Sequence, residues 1–206
     1  MAYVLGFFAA DGYITVNKRG GQFWCVDITD KKLIEQIREK IGADHKISIR
    51  KRHKNKYTGY RLQIGSIEMC DDLRNRGFKE RKTKSLVVPN VPNKYFSDFV
   101  RGYFDGDGNV WFGYAHKERN RPLPVIRTTF TSCSKLFLNA LEKRLLAADV
   151  ERGVLGKGKG GYFRLTYSVH GSLKLYKFMY NGHVLENSLF LKRKKLVFEE
   201  YMSLRL

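Results

Sequence analysis

Apolar residues along this chain follow two rhythms, helical and alternating, and the order of those rhythms occurs twice. Leu5 to Gly12 reads L-G-F-F-A-A-D-G, an apolar helix closing on an acid and a glycine. A glycine just past a helix is a common stop, because it accepts φ > 0 without strain. Period-two alternation follows. Tyr13 to Lys18 sets Ile14 and Val16 on one face, Gly20-Gly21 supplies a turn, and Phe23 to Thr29 returns with Val26 and Ile28 inward. After Thr29-Asp30, Leu33, Ile34, Ile37 and Ile41 recur at helical spacing until Gly42. Lys46 to Arg52 and Tyr60 to Ile64 read as a second hairpin, joined by the basic run Arg50 to Lys56, and a short helix is expected over Ile67 to Arg76. Val88-Pro89-Asn90-Val91-Pro92 then breaks regular structure.

The order restarts at Arg101 to Gly108, R-G-Y-F-D-G-D-G. Strands are expected over Asn109 to Gly113 and Val125 to Thr131, then a helix opened by Ser134 that carries Phe137, Leu138, Leu141 and Leu145. A hairpin of Val150 to Leu155 and Tyr162 to Val169 follows, then helices over Leu173 to Tyr180 and Leu189 to Tyr201. The fold class is α+β, each half reading α-β-β-α-β-β-α. The halves are taken as residues 1–94 and 95–206, with no linker long enough to separate independent domains.

Superposing the two helical stretches matches Gly6 with Gly102, Asp11 with Asp107 and Gly12 with Gly108, a constant shift of 96 positions. Gly6 and Ala10, and Gly102 and Gly106, are small residues four apart, a spacing that lets two helix backbones approach closely. Helices packed in this way would bring Asp11 and Asp107 side by side, and paired carboxylates repel unless a cation lies between them. Hard oxygen donors suit Mg²⁺. A single such stretch is an ordinary helix end. Two copies at domain spacing in a strongly basic chain are harder to explain that way.

Composition narrows the partner. The chain of 206 residues has a formal charge of +19, and its sequence pI is about 9.9. Such a balance points to a polyanion, nucleic acid first. No apolar run is long enough to span a bilayer, so no membrane role is expected, and no signal peptide precedes the first motif. Cys25, Cys70 and Cys133 are odd in number and widely spaced, which suits a reducing intracellular compartment, cytoplasm or organelle matrix, rather than a disulfide framework or zinc site. The five histidines show no ligand spacing.

Both motif stretches resemble the LAGLIDADG motif of homing endonucleases, and the resemblance runs over the whole chain. It implies two saddle-shaped antiparallel sheets backed by helices, with the motif helices at the interface of the halves. It further implies a monomeric, intron-encoded type of DNA endonuclease that makes double-strand breaks at a long pseudo-palindromic site. Mg²⁺ is the implied cofactor, with Mn²⁺ substituting and Ca²⁺ binding without supporting cleavage. Hydrolysis of a phosphodiester needs an activated water, charge neutralisation and help for the leaving oxygen, all of which two metals can supply. The implied metal ligands are Asp11 and Asp107 with the backbone carbonyls of Ala10 and Gly106. Asp105 has only Ala9 as its counterpart and is read as structural or peripheral.

The family also places a lysine beside each metal site. Lys84 in K-T-K-S-L and Lys194 in F-L-K-R-K-K are the matching residues here, although a lysine in a basic run is usually a solvated charge. Where the family often has Gln at the strand-to-helix entry, this chain has Thr29-Asp30 and Thr131-Ser132, which leaves the water-ordering groups open; Asp30 also suits a helix N-cap.

Alternation puts Ile14, Val16, Val26, Ile28, Ile47, Ile49, Leu62 and Ile64 against the helices and turns the other face of each sheet outward. In the first half that face carries Thr15, Asn17, Cys25, Asp27, Ser48, Arg50, Arg61 and Gln63. In the second it carries Trp111, Arg127, Thr129, Arg152, Arg164 and Thr166. A two-stranded ribbon fits the major groove, where Arg reads guanine and Gln reads adenine. A merely solvated face is the bland alternative, weakened here by abundant Arg and scarce Glu. Gly153 to Gly160, G-V-L-G-K-G-K-G, imitates a P-loop but lacks the Ser/Thr and precedes a strand, so it reads as a basic hairpin tip. The rivals are an RNA maturase acting on intron RNA, a non-cleaving DNA-binding protein on the same fold, and the nuclease part of an intein. No terminal Cys or Ser nucleophile and no C-terminal His-Asn supports the last.

Overall fold

Alternation in the sequence becomes two four-stranded antiparallel sheets with the same strand order, an α+β architecture. The computed structural model describes residues 1–51, 58–80, 82–180 and 188–204. The chain divides into two units, Met1–Gly106 and Asp107–Leu206.

The first unit runs α1 (Ala2–Asp11), β1 (Gly12–Val16), β2 (Gln22–Ile28), α2 (Lys31–Lys40), β3 (Ile47–Lys51), β4 (Thr58–Gly65), α3 (Ile67–Asn75), a 3₁₀ turn (Asn93–Tyr95) and all but the last residue of α4 (Phe96–Asp107). Its sheet order is β1-β2-β4-β3. Trp24 lies opposite Ile64, and Val26 opposite Leu62, with all four buried. Leu33, Ile34 and Ile37 of α2 and Cys70 and Leu73 of α3 complete that core. Asp30 Oδ1 accepts the Leu33 N–H at 2.9 Å and Ser66 Oγ accepts the Met69 N–H at 3.1 Å, so both helices start on side-chain caps. Val16 and Ile49, expected inward, are 48% and 63% exposed. Val16 ends edge strand β1 and Ile49 lies on edge strand β3, beyond the cover of the helices.

Glycine governs the packing of α1. A Cβ on Gly6 would lie 2.0 Å from the Phe99 carbonyl oxygen, and one on Gly102 would lie 2.0 Å from that of Tyr3. The two motif helices therefore touch backbone to backbone. This contact places α4, apart from its last residue, with the first unit. Gly12 does not serve as a left-handed stop, since its φ is −83°. It is needed because a Cβ there would meet the Phe8 ring at 2.0 Å.

The second unit contains β5 (Gly108–Ala115), β6 (Leu123–Ser132), α5 (Lys135–Ala147), β7 (Val154–Lys157), β8 (Phe163–Tyr167), α6 (Val169–Tyr180) and α7 (Lys192–Ser203), with sheet order β5-β6-β8-β7. Phe130, Phe137, Leu138, Leu141, Leu165, Tyr167, Leu175, Phe198 and Tyr201 are fully buried. Ser134 Oγ caps α5 through the Phe137 N–H. Ser172 Oγ accepts the Thr128 N–H and donates to the Tyr167 carbonyl, tying α6 to the sheet.

Strand β7 begins at Val154, not Val150. The Val150 N–H donates to Leu145 O and the Asp149 N–H to Leu146 O, with Asp149 at φ 61°. This is a Schellman ending of α5, and the buried Val150 closes the helix instead of opening a strand. Arg152 consequently precedes β7 and is not part of the sheet face. The glycine-rich stretch is the expected hairpin tip: Gly160 and Gly161 take positive φ, and Phe163 starts a strand. No helix among the described residues is long and apolar enough to cross a membrane.

Candidate functional site

Four acids lie on the motif helices, Asp11, Asp98, Asp105 and Asp107, and their surroundings separate them. Asp11 is exposed at the last residue of α1, and Asp107 is exposed at the last residue of α4. Carbonyl ends of helices carry partial negative charge and favour cations. Asp105 is only 2% exposed and accepts the Tyr3 hydroxyl at 2.6 Å. The Arg101 guanidinium, fully buried, lies over the Tyr3 ring at 5.6 Å and pairs with Asp98. Asp105 therefore works inside the helix pair. At Gly106, a Cβ would meet the Ala10 Cβ at 2.3 Å and Asp11 Oδ2 at 3.0 Å, so only glycine lets the backbone come this close to the end of α1.

Each unit carries a buried lysine against a motif backbone. Lys82 is 7% exposed, and its Nζ donates to Ala9 O at 2.8 Å and Ala10 O at 3.3 Å. Lys194 is 6% exposed and donates to Gly108 O, the carbonyl next to Asp107, at 2.6 Å. Lys194 is one of the two lysines singled out from the sequence. In the first unit the lysine at the motif is Lys82, while Lys84 is exposed. K-T-K offers two lysines, and nothing local says which one turns inward. Ala10 thus shares its carbonyl with an ammonium group, although a carbonyl retains a second lone pair.

On the first sheet, register confirms which positions share the outer face: Tyr13–Cys25–Gln63 and Asp27–Arg61–Ser48 run across it, with Arg50 opposite Gly59. Ser48 and Arg50 are exposed, and Thr15 and Gln63 half-buried. Asn17 is occupied by the turn, accepting the Arg19 and Gly21 N–H groups. Arg61 is held by Asp27 through two hydrogen bonds of 2.6 and 2.8 Å, and the Tyr13 hydroxyl donates to the same carboxylate. This clamp was not read from the sequence, because it needs residues 14 and 34 positions apart to meet. Burial pushes the Cys25 thiol up to about 11, with the Asp27 charge adding to it and Arg61 opposing.

Burial raises the Asp27 pKa, but the Arg61 hydrogen bonds and charge outweigh it, and the carboxyl ends below its ordinary value of 3.8. A depressed carboxyl pKa contributes stability that is complete above the unfolded value and is lost as pH falls through the folded one. Thermal melts taken from about pH 6 down to about pH 3 should therefore show an acid-limb loss of Tm that Asp27→Asn lacks. Identical acid limbs for parent and variant would remove the clamp as a source of stability.

On the second sheet, Trp111 pairs with Arg127, Thr129 with Thr166, and Thr131 with Arg164. Trp111, Arg127 and Arg164 are exposed, and Thr129 Oγ1 lies 3.3 Å from Thr166 Oγ1. Arg164 stacks on the Tyr162 ring at 5.0 Å and donates to its hydroxyl. Residues 52–57, from the basic connection in the first half, lie outside the described residues.

Residues 1–74 match the family model of the LAGLIDADG-like domain. The intron-encoded RNA maturase bI4 of Saccharomyces cerevisiae is 28% identical over 182 residues, covering 79% of this chain and 26% of the maturase. The chain thus spans about a quarter of that relative. I-DmoI in complex with DNA and Ca superposes with a TM-score of 0.64 at 17% identity, covering 96% of each chain. The LAGLIDADG meganuclease I-AabMI bound to uncleaved DNA gives 0.61 at 13% identity, covering 98% of this chain and 88% of that one.

Proposed function

We propose that this chain, whose first 74 residues match the LAGLIDADG-like domain and whose fold is that of the LAGLIDADG homing endonucleases, is a divalent-metal-dependent, site-specific endonuclease of double-stranded DNA. The observation that carries the proposal is duplicated: at each motif an exposed carboxylate ends a helix, and a buried lysine holds a backbone carbonyl within two residues of it. Asp11 and Asp107 would hold the ions, with the Ala10 and Gly106 carbonyls as further oxygen donors. The fit is chemical and steric. The donors are hard oxygens, both carboxylates are exposed, and the bare Gly106 backbone comes close to Asp11 with no side chain to screen its carboxylate. Among the described residues no three His, Cys, Asp or Glu gather around an ion, so backbone carbonyls are needed beside the acids. Bound Mg²⁺ would supply Lewis-acid stabilisation of the phosphate charge.

The remaining work falls to the protein. Lys82 and Lys194 fix the carbonyls beside the acids and place positive charge near the phosphate. Arg50, Arg61, Gln63 and Ser48 on the first sheet, and Arg127 and Arg164 on the second, would contact DNA; Arg61 is held ready by Asp27. The chain acts as a monomer, because both motifs are its own.

A cleavage assay on a randomised duplex library, with Mg²⁺ and with excess EDTA, tests the proposal. Equal cutting in EDTA, or no cutting of any sequence, would sink it. The maturase relative favours a second reading, assistance of intron RNA splicing, which a splicing assay on a cognate intron transcript separates from cleavage.

The assignment of the first lysine has its own test. Lys82→Met should lower the cleavage rate roughly 10–100-fold, as loss of a group that orients a ligand does. Lys84→Met should leave the rate within about twofold, as an exposed substitution does. Reversal of that order would return the role to Lys84.

A further inference from the structure

The outer face of the second sheet contains a groove of about 560 Å³. It arises because β6 outruns its neighbour. β8 pairs only with Thr128–Ser132, leaving Leu123–Arg127 paired on the β5 side alone. Trp111 lies on one side of the groove and Val154 and Gly156 on the other, while Arg127, Lys157 and Arg164 supply positive charge; no acid lines it.

Trp111 is shaped into a platform. Its indole lies over Gly113, where a Cβ would come within 2.3 Å of Cζ2 and 2.7 Å of Cη2. The strand covers one side of the ring, yet half of the side chain, 50%, stays exposed. A flat exposed aromatic in a concave basic setting matches what an unstacked base needs: a surface for its π-face and cations for its phosphates. A base within a duplex has its faces covered by neighbours and offers only its edge.

We propose that this groove receives one unpaired DNA base, stacked on Trp111, with the adjoining phosphates held by Arg127, Lys157 and Arg164. The proposal rests on the nucleic-acid reading above and adds to it a site for an extrahelical or single-stranded nucleotide.

The molecule carries its own reporter. It has two tryptophans, and Trp24 is buried at 1%, so ligand-induced quenching comes from Trp111. A single-stranded oligothymidylate of roughly twelve nucleotides should quench the emission, and a blunt duplex of equal length should quench it far less. With labelled oligonucleotides, Trp111→Ala should weaken single-strand binding roughly 5- to 150-fold, the worth of one stacked base, and duplex binding by a clearly smaller factor. Trp111→Phe should retain most of the affinity. Gly113→Val keeps the indole but displaces it, and should weaken single-strand binding as Trp111→Ala does.

Absence of quenching by the single strand, or equal loss of duplex and single-strand affinity in Trp111→Ala, would overturn the base site while leaving duplex recognition standing. An oligouridylate of the same length bound more than about tenfold tighter would overturn the DNA assignment in favour of RNA. Failure of the parent to bind either strand form at low salt would instead overturn the nucleic-acid reading itself.

Discussion

Asp11→Asn and Asp107→Asn should each abolish double-strand cleavage while leaving DNA binding intact. Asn keeps the shape of the side chain and one hydrogen-bonding oxygen, but not the charge that holds a divalent ion. Both acids are exposed at helix carbonyl ends, and Asn keeps their shape, so folding should be less affected than by a change in the core. The lost metal stabilisation of the reacting phosphate is several kcal/mol, which corresponds to a rate drop of roughly a thousandfold or more. Binding without metal should hold or tighten, because one negative charge near phosphate is gone. Asp105→Asn is the internal comparison. Asp105 is buried and bonded to Tyr3, so its variant should change thermal stability more than cleavage rate. Electrophoretic binding and strand-cleavage assays on the same preparations separate the two effects. Parental cutting of both strands by either exposed-acid variant would remove the acids from the mechanism.

Sequence periodicity was informative wherever one helix face or one sheet face decides burial. The order of elements, the outer-face set from Thr15 to Gln63, and the caps at Asp30 and Ser134 follow from local pattern and cap chemistry. The duplicated acids and small residues were equally legible, because Gly6 and Gly102 leave a spacing that the helix surface must use. Three kinds of information were not local. Alternation does not say which strand lies at an edge, so Val16 and Ile49 read as core although the helices do not reach them. A Schellman ending normally announces itself by glycine, and here Asp149 takes the left-handed position, so Val150 read as strand. Which lysine turns inward depends on the carbonyls that another helix presents, and those lie 73 and 72 positions from Lys82. The backbone contact of α4 with α1 is likewise a tertiary fact.

That contact yields the largest expected effect on stability. Gly6→Ala places a methyl 2.0 Å from the Phe99 carbonyl oxygen and 2.9 Å from the Tyr103 nitrogen. Gly102→Ala does the same toward Tyr3 O at 2.0 Å and Phe7 N at 2.8 Å. The obstacles are backbone atoms of a helix, not ends of flexible side chains, so no rotamer change relieves them. The helices must separate, and the buried Phe7, Phe99, Val100 and Tyr103 lose packing with them. Overpacking of this kind costs about 3 kcal/mol or more, which in a chain of this size is a fall in Tm of roughly 6–12 °C. Gly156→Ala, with nothing within 4 Å and no positive φ, should be near neutral. Gly20→Ala, at φ +81° in open space, should cost only the backbone strain, about 1 kcal/mol. The double variant distinguishes this account from a general dislike of alanine in these helices. One outward shift of α4 from α1 relieves both clashes, so Gly6→Ala/Gly102→Ala should cost clearly less than the two single variants together. Full additivity, or a neutral Gly6→Ala, would mean that the two backbones do not touch in this way.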